Sequence, residues 1–413
     1  MEGEIASMQY LAANWREHTE EWDPNDIRYS RSADIYIQRQ DSMVLSVVKD
    51  CYEFSHGAHG AGWYESTNLN TQTGEEIPID SVITDFTCLS AILEEELQEQ
   101  YPHLEDVSMA EKIEKYIITD DSGYDYSLAW TLEYDGVRFY FGHYEVGVGY
   151  GGGRQSVNLL YSEYPELFNS MYFEGVQDDF VVPFSNSHCY GADLNEDGIT
   201  EYITVSQDYE SKSSAGYYTH YIVQLDDVVW NQEENYNYLR TFLVRNGEQH
   251  YLYIARGLRG EQNLLSPLTV FAVTANTIDY VGEFEGELQY FSNSSSFQIC
   301  RPIDFLGSYN VIMECCVDDT GMPVAIQDRH IIADEVVLTS TAEIEAELID
   351  EDGNLLGTSY VFPAGTRFTL KVTNAESHVE AETSDGRRCI LYVNQGTTTM
   401  VNGYDATTVF DLE

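Results

Sequence analysis

One short stretch, residues 190–202, carries side-chain oxygens at a spacing that fits a metal ion. Alternate residues of a tight loop point inward, so Asp193, Asn195 and Asp197 are expected to converge on one point. The glycine that follows the third of them permits the sharp turn that such a loop needs. Hard oxygen donors at this spacing suit Ca²⁺, which accepts about six to eight of them. The predicted calcium ligands are Asp193, Asn195, Asp197, the carbonyl of Ile199, and Glu201.

The loop departs from the EF-hand pattern. An EF-hand has a bidentate glutamate at its twelfth position, where this chain has Thr204, and a helix afterwards, where residues 202–205 read as a strand. The loop resembles the Asp-x-Asn-x-Asp-Gly-x-x-Asp loops of β-propellers and related extracellular repeats, with Glu201 in place of the last aspartate. The alternative is a turn without metal, because Asp, Asn and Gly favour turns. Three carboxylates that would otherwise repel one another favour the cation.

The composition restricts the classes of partner. The chain has 413 residues, enough for two to four domains, with 20 basic and 71 acidic side chains and a net charge of −51. Such a charge repels nucleic acid, anionic lipid surfaces and acidic wall polymers. It favours the approach of cations or of a basic protein. The alternative is that the charge serves only to keep an exported protein soluble.

The location of the protein is predicted from the calcium loop. The sequence contains no run of about 18 apolar residues, and its first residues lack the basic and apolar regions of a signal peptide. Sites of this kind fill where calcium is plentiful, so we expect an extracellular or cell-envelope protein. A leader or membrane anchor is then expected upstream of Met1; a cytoplasmic protein is the alternative. The seven cysteines form no Cys-x-x-Cys motif, and most are predicted to be buried free thiols.

The predicted fold is an α+β N-terminal domain followed by all-β domains, which makes the chain multidomain and β-rich. Residues 1–32 are a flank or linker, and residues 33–175 form the α+β domain. Its predicted strands are Ala33–Arg39, Met43–Phe54, Trp63–Leu69, Leu128–Tyr134, Val137–Tyr144 and Gln155–Leu160, with Asp135–Gly136 as a hairpin turn.

Two helices are predicted between these strands. The first runs from Asp85 to Glu99 with Thr84 as its cap, and the second runs from Met109 to Ile117. The apolar face of the first helix is predicted to be Phe86, Leu89, Ile92, Leu93 and Leu97, with Glu94–Glu96 and Glu99 mainly toward water.

This N-terminal part resembles the RsiV-like domain, which occurs outside the membrane in bacterial anti-sigma factors and peptidoglycan deacetylases. The resemblance covers roughly residues 33–172 and is carried by Arg39–Ser46, Gly57–Gly60, Tyr64–Asn68, Thr73–Gly74, Val137–Glu145 and Gly149–Gly151. It implies an extracytoplasmic α+β fold and a binding role, since some members of the family are lysozyme receptors. Lysozymes are basic, so the acidic composition fits such a partner. The sigma-binding segment, the transmembrane helix and the deacetylase motif of those proteins are absent here.

The rest of the chain is predicted to be β structure in two parts. Residues 181–335 form a β domain that opens with the calcium loop and has strands near 200–206, 217–225, 236–245, 248–255, 267–274 and 278–283. Because the calcium loop does not repeat, a multi-bladed propeller is not expected. Residues 336–413 resemble a small SH3-like β barrel, a module that often binds wall peptides or other protein segments.

Other motifs carry less chemistry. The pattern Gly147–Gly152 matches G-x-G-x-x-G, but a strand follows it where a nucleotide site needs a helix. His56, His59 and His143 could bind zinc if the fold joined them, and a glycine-rich loop is the simpler interpretation. Cys315 and Cys316 are predicted to face opposite sides of a strand. We therefore predict no catalytic or cofactor-binding residue.

The functional hypothesis is a non-enzymatic, exported bacterial envelope protein that recognises a protein or cell-wall ligand. Lysozyme and a cell-wall peptide are the ligands considered, together with a structural Ca²⁺. The alternative is an envelope hydrolase whose carboxylate active site has no recognisable motif, because paired carboxylates are common among 71 acidic residues.

Overall fold

The computed structural model describes residues 30–54, 59–104, 107–117, 128–146, 153–176, 179–184, 189–207, 218–236, 238–257, 267–290 and 293–411. The chain divides into two compact units. The first holds the described residues up to Asn235, with Arg240–Val244 and Val273–Asp279; the second holds Tyr236–Leu239, Arg245–Ala272 and the described residues from Tyr280 onward. Strands dominate the described residues, which contain four short helices, so the chain is β-rich and multidomain. The finer division into 33–175, 181–335 and 336–413 stays a prediction.

The first sheet of the first unit is a three-stranded antiparallel meander. It consists of β1 (Ser30–Gln40), β2 (Val44–Phe54) and β3 (Ala61–Asn70), in that order. Its three strands confirm those predicted from the period-two patterns. The turn between β1 and β2 is closed by Asp41, whose carboxylate accepts hydrogen bonds from the amides of Met43 and Val44, both at 2.7 Å.

The second sheet forms the centre of the first unit. Its strands are β4 (Ala129–Leu132), β5 (Gly136–Phe141) and β6 (Gln155–Leu160), and all their residues are buried. The predicted hairpin is confirmed, with Leu132 opposite Val137. Its turn lies one residue before the predicted Asp-Gly pair, because the amide of Glu133 donates to the carbonyl of Gly136 at 2.8 Å and leaves Tyr134 and Asp135 as the two central residues. A Cβ at Gly136 would lie 2.5 Å from the Leu159 carbonyl oxygen, so this position requires glycine for close packing.

Three helices pack against this central sheet. They are α1 (Ile79–Val82), α2 (Leu89–Gln100) and α3 (Ala110–Ile117). The leucines on the inner face of α2 are fully buried, as predicted. The predicted start was wrong: α2 begins at Leu89, because the hydroxyl of Thr84 donates to the carbonyls of Glu166 and Leu167 and caps no helix. The predicted exposure of Glu96 was also wrong, since its side chain is buried.

The remaining strands of the first unit lead to the loop at 193–200. They are β7 (Phe180–Phe184), β8 (Cys189–Ala192), β9 (Glu201–Gln207), β10 (Tyr218–Leu225), β11 (Val228–Tyr236) and β12 (Tyr238–Asn246). Strands β8 to β11 form a sheet in the order β11-β10-β9-β8, and β7 neighbours β12. Strands β9, β10 and β12 were predicted, whereas β7, β8 and β11 were not.

The next three neighbouring strands are β13 (Gln249–Gly257), which belongs to the second unit, and β14 (Leu268–Thr274) and β15 (Thr277–Phe284), whose residues are divided between the two units. Gly247, with φ +62°, lies in the turn that precedes β13, where the pair Asn246–Gly247 is a sequence signal for a hairpin turn. A larger sheet follows. Its strands are β16 (Glu287–Tyr290), β17 (Phe297–Asp304), β18 (Ser308–Val317), β19 (Pro323–Ala325), β20 (His330–Ile332), β21 (Val337–Ser340), β22 (Ile344–Ile349), β23 (Leu355–Phe362), β24 (Arg367–Thr373), β25 (His378–Thr383), β26 (Arg388–Gln395), β27 (Thr399–Val401), β28 (Tyr404–Asp405) and β29 (Phe410–Asp411), with helix α4 (Ala406–Val409) before the last strand.

The main path of this sheet runs β16-β17-β18-β20-β24-β25-β26-β22-β23, so β23 ends it. Three aromatic rings lie in its interior: Phe368 meets Phe362 and Phe410 edge to face, with centroid distances of 5.1 and 5.8 Å. The sequence predicts strands β22, β24 and β26, because residues 343–349 and 366–373 alternate with period two and residues 389–393 form a further strand pattern. Strands β23 and β25 between them were not predicted.

The cysteines of the chain form no disulfide bonds. All seven cysteines are free, and four are buried, which confirms the prediction for most of them. Cys315 is buried and Cys316 is half-buried on β18, as expected for adjacent residues that face opposite sides. Within the described ranges, each helix is too short and too polar to cross a membrane.

Candidate functional site

The predicted calcium loop connects two paired strands of the first unit. Ala192 at the end of β8 lies opposite Glu201 at the start of β9, so residues 193–200 form the hairpin connection. Glu196 and Gly198 adopt left-handed conformations, with φ +60° and +83°. A Cβ at Gly198 would meet no atom within 4 Å, so the backbone conformation is what favours glycine there.

Within the loop, the oxygen-bearing side chains turn toward the backbone. Asp193 accepts hydrogen bonds from the amides of Asp197 (3.1 Å) and Gly198 (2.9 Å). The carboxylate of Asp197 accepts from the amide of Ile199 at 2.9 Å, and the side-chain oxygen of Asn195 accepts from the amide of Asp197 at 3.1 Å. A carboxylate oxygen can accept more than one hydrogen bond, so these contacts leave lone pairs for a further ligand.

Glu201 lies at the base of the loop. Its side chain is 6% exposed and accepts a hydrogen bond from the amide of Leu194 at 2.8 Å. Burial raises the pKa of Glu201, and the carboxylates of Asp193, Asp197 and Asp226 raise it further. The loop therefore gathers negative charge at a buried carboxylate, where a cation would lower the free energy of the ionised form.

Among the described residues, no cluster of side chains has the geometry of a metal site. None of the groups of three or more His, Cys, Asp and Glu side chains there is arranged to hold a metal ion. The ligand set Asp193, Asn195, Asp197, Ile199 and Glu201 therefore stays a prediction. Of the three histidines weighed for zinc, His56 lies outside the described residues, and Nδ1 of His143 accepts a hydrogen bond from the amide of Gly62 at 2.9 Å. The G-x-G-x-x-G stretch at 147–152 also lies outside them.

A buried ion pair occupies the centre of the first unit. Glu133, in the turn after β4, and Arg138, on β5, are 0% and 3% exposed. The guanidinium donates two hydrogen bonds to the carboxylate, Nε to Oε1 at 2.6 Å and Nη2 to Oε2 at 3.3 Å. Burial lowers the pKa of Arg138, but the Glu133 carboxylate, Tyr190 and Tyr140 together more than offset this, so the net pKa is raised.

Tyrosines complete the surroundings of this pair. Tyr190 on β8 donates to Glu133 Oε2 at 3.0 Å, and its ring lies 4.1 Å from the Arg138 guanidinium carbon. Tyr140 donates to Glu133 Oε1 at 3.4 Å. A charge in such a position is stable only when its partners are all in place, and here they are. The arrangement therefore reads as structural.

Asp135 is a second carboxyl group in the turn after β4, close to this pair. Burial, followed by the Glu133 carboxylate, raises the pKa of Asp135 to about 7. The amide of Asn158 donates to its carboxylate at 3.2 Å. A carboxyl group with a pKa near neutrality is able to exchange protons at physiological pH, which is the chemistry of a general acid or base.

A narrow cleft lies beside the ion pair. It is lined by Tyr36, Asp50, Tyr64, Arg138 and Tyr140 among others, and its enclosed volume is about 20 Å³. That volume is room for about one water molecule. Asp50 at its edge is ion-paired with Arg154. A cleft of this volume is too small to hold a segment of a polymer.

The buried ion pair between Glu133 and Arg138 was not predicted, although the sequence contains a pattern that indicates it. Glu133 and Arg138 are opposite charges that flank a hairpin turn inside an otherwise apolar strand pattern. Charged residues within strands that are buried on both faces are rarely found unpaired. The partner from β8, Tyr190, is 57 residues away and has no local signal.

Many of the basic side chains form ion pairs with carboxylates. At least eight of the 20 form ion pairs within the described residues: Arg39–Asp41, Lys49–Glu65, Arg138–Glu133, Arg154–Asp50, Arg256–Glu283, Arg329–Glu380, Arg387–Asp385 and Arg388–Glu380. Several of the arginines are also buried, including Arg39 at 1% exposure. The chain therefore offers more negative than positive charge to a partner.

Comparison with known proteins gave distant structural neighbours. A member of the DUF3298 family from Bacteroides fragilis is 17% identical, with a TM-score of 0.29, and the match covers 40% of this chain and 65% of that chain, less than two thirds of its length. A DUF3298 family protein from Pseudomonas aeruginosa is 14% identical, with a TM-score of 0.27 and coverage of 40% and 71%. No family model and no curated protein matches the sequence. The structural neighbours of this chain are thus distant DUF3298 family proteins.

Proposed function

We propose that this protein is an exported bacterial envelope protein that binds a basic protein, with lysozyme as the first candidate. The observation that carries the proposal is the charge: 71 acidic side chains against 20 basic ones, at least eight of which are already in ion pairs. Opposite charge speeds encounter and favours a basic partner over an acidic one. A cell-wall peptide with free amino groups is the other ligand of this chemistry.

The proposal includes the finer architecture that the sequence indicates. Residues 33–175 are proposed as an RsiV-like α+β domain, and residues 336–413 as an SH3-like barrel. The resemblance of 33–172 to lysozyme receptors supports lysozyme as the first protein to test. It also supports an extracytoplasmic location.

We propose a structural Ca²⁺ bound by Asp193, Asn195, Asp197, Ile199 and Glu201. Support comes from the inward-turned side chains and from the raised pKa of the buried Glu201 beside other carboxylates. Calcium at this hairpin would stabilise the folded chain by mass action. It would take no part in binding the basic partner.

The second candidate is an envelope hydrolase, and the pKa of Asp135 favours it. A carboxyl with a pKa of about 7 fits a general acid. The test is turnover of peptidoglycan by the full chain and by Asp135→Asn. Release of soluble fragments by the wild type and none by the variant would support the hydrolase.

The binding proposal is tested with the full chain and hen lysozyme by calorimetric titration at 20, 150 and 500 mM salt. We expect saturable binding that persists at 150 mM, because specific contacts add to the screened electrostatic attraction. Cytochrome c, a basic protein of similar size, is the control and should bind more weakly at every salt concentration. Equal binding of the two proteins, or loss of both at 150 mM salt, would remove lysozyme as the ligand.

A further inference from the structure

We propose that the open edge of β23 (Leu355–Phe362) is a docking site for an extended, basic peptide segment of a partner protein. Strand β23 ends the main path of the large sheet in the second unit, and on one side it pairs with β22. On its other side, no strand of the described part of the chain is hydrogen-bonded to it. A row of unpaired backbone amides and carbonyls is a template for one more strand.

The side chains of β23 make this edge unusual. Seven of its eight residues are exposed, and only Phe362 is buried. Leu355, Leu356 and Val361 are apolar yet 54%, 55% and 53% exposed. Proteins commonly protect an open edge with charged or proline residues, whereas residues 355–362 contain neither. Apolar side chains on an unpaired strand fit a surface that is covered by a partner.

The charge of the hairpin indicates the sign of that partner. Residues 343–362, which contain β22 and β23, carry six acidic side chains and no lysine or arginine. The six are Glu343, Glu345, Glu347, Asp350, Glu351 and Asp352. A basic segment gains from this field, whereas a second copy of the same hairpin would bring like charges together. The occupant is therefore a basic peptide and not another copy of the chain.

The geometry also limits the length of the docked segment. Gly357 has a φ of +69°, a conformation that interrupts regular pairing, so the regular edge runs from Thr358 to Phe362. The ring of Tyr360 packs against that of Phe362, with a centroid distance of 4.8 Å. The Arg387 guanidinium carbon lies 4.3 Å from the centroid of the Tyr360 ring. Arg387 is itself paired with Asp385. A short segment with alternating apolar and basic residues would pair its backbone with the edge and place apolar side chains beside Val361.

This inference rests on the proposed function for the sign of the partner's charge, and the strand pairing is independent of lysozyme. The test uses the full chain and a fluorescent octapeptide in which lysine and valine alternate, followed by anisotropy at 150 mM salt. We expect saturable binding, about tenfold weaker in Val361→Lys, which removes an apolar contact and adds a like charge at the edge. The matched control is Ile331→Lys on the interior strand β20, where the replaced side chain is 57% exposed. Binding by this control should equal that of the wild type.

Two further arms separate the outcomes. A lysine–valine octapeptide that is N-methylated at every backbone amide keeps both kinds of side chain but lacks the donors needed for pairing, and it should not bind. The proposal is overturned if that peptide binds equally, if both variants weaken binding alike, or if Val361→Lys instead abolishes self-association of the wild type in sedimentation. If lysozyme fails to bind while the lysine–valine peptide binds at β23, the proposed function fails and this inference stands. If lysozyme binds while the peptide does not, the proposed function stands and this inference fails.

Discussion

Two regions of the first unit handle buried negative charge in opposite ways. At the hairpin between β4 and β5, the carboxylate of Glu133 is neutralised by Arg138 and receives hydrogen bonds from tyrosines. At the hairpin between β8 and β9, Glu201 is also buried, but its nearest charged neighbours are carboxylates. The first region therefore contains its own counter-ion, whereas the carboxylates around Glu201 raise its pKa. The buried carboxyl groups of the two hairpins thus differ in the sign of their charged neighbours.

The largest expected effect comes from breaking the buried pair. Arg138→Met leaves the carboxyl group of Glu133 in the core without its ion-pair partner, and we expect the free energy of unfolding to fall by about 3–5 kcal/mol. Urea unfolding at pH 7 measures the change. Lys49→Met is the matched control, because it removes the cation of the more exposed pair Lys49–Glu65 and should cost about 0–1 kcal/mol.

The double variant Arg138→Met, Glu133→Gln sharpens this result. Removing both charges should recover part of the lost stability, since no unpaired charge then remains. If the double variant is less stable than Arg138→Met alone, the cost comes from lost packing, and the account of Glu133 as a charge held by Arg138 is wrong.

The second effect concerns Asp135, next to the buried pair. Its pKa is about 7 in the folded chain, against an ordinary value of 3.8, so the folded state keeps a proton that the unfolded state releases between these values. The free energy of unfolding should therefore fall as pH rises from about 4 to about 7, and be flat above. Asp135→Asn cannot ionise, and we expect it to be more stable than the wild type at pH 8 by on the order of 3 kcal/mol.

The measurement is urea unfolding of wild type and variant at pH 4.5, 6 and 8. Asp85→Asn is the contrast, because hydrogen bonds from the hydroxyl and the amide of Thr87 lower the pKa of Asp85. A lowered pKa stabilises the folded state above the ordinary value and loses that contribution as pH falls, which is the opposite sign. A wild type and an Asp135→Asn variant with parallel pH profiles would contradict the raised pKa.

The smallest expected effect is at the predicted calcium loop. If calcium binds there at about a hundredfold excess over its Kd, it adds about 2.7 kcal/mol to stability. Asp197→Ala should lower the melting temperature more in millimolar calcium than in chelator, because the hydrogen bond from the Ile199 amide is lost in both conditions and only the calcium-bound form also loses a ligand. Differential scanning fluorimetry with calcium and with chelator measures this difference.

The matched control for the loop is Glu196→Ala. It removes the same charge from the same loop at a residue outside the predicted ligand set, and it keeps the left-handed position occupied by a non-glycine residue. Its melting temperature should still rise with calcium. An equal loss for Asp197→Ala in calcium and in chelator would mean that the loop is a turn without metal. The proposal that a cation from solution acts at Glu201 as Arg138 does at Glu133 would then be wrong.

Local patterns were sufficient for much of the β structure. Strand β6 has the bounds Gln155–Leu160 that alternation predicted, and the hairpin before β5 follows from its Asp-Gly signal. Strand β11 was missed because the polar run near its end shows no alternation. The start of α2 was misplaced because Thr84 bonds to carbonyls more than 80 residues away, which no capping pattern reveals.

The candidate sites show the same limit. The loop side chains accept hydrogen bonds from amides of their own loop, which is local geometry, and their convergence on a metal ion stays a prediction. The burial of Glu96 was not foreseeable, because the tyrosines that contact it, Tyr164 and Tyr202, are 68 and 106 residues away. The same is true of the bond from Tyr190 to Glu133. Long-range partners decide which charges are buried, and one sequence alone does not pair them.

That bond from Tyr190 has a consequence for cooperativity. Tyr190 belongs to β8, the strand that leads directly into the loop at 193–200, and its hydroxyl is bonded inside the core of the same unit. The loop therefore cannot detach as an independent folding unit without withdrawing a hydrogen-bond donor from the buried ion pair. Opening of the hairpin base is therefore coupled to loss of the core. A cation bound at the tip of the loop would then raise the free energy of global unfolding. The exposed loop and the buried pair belong to one cooperative element.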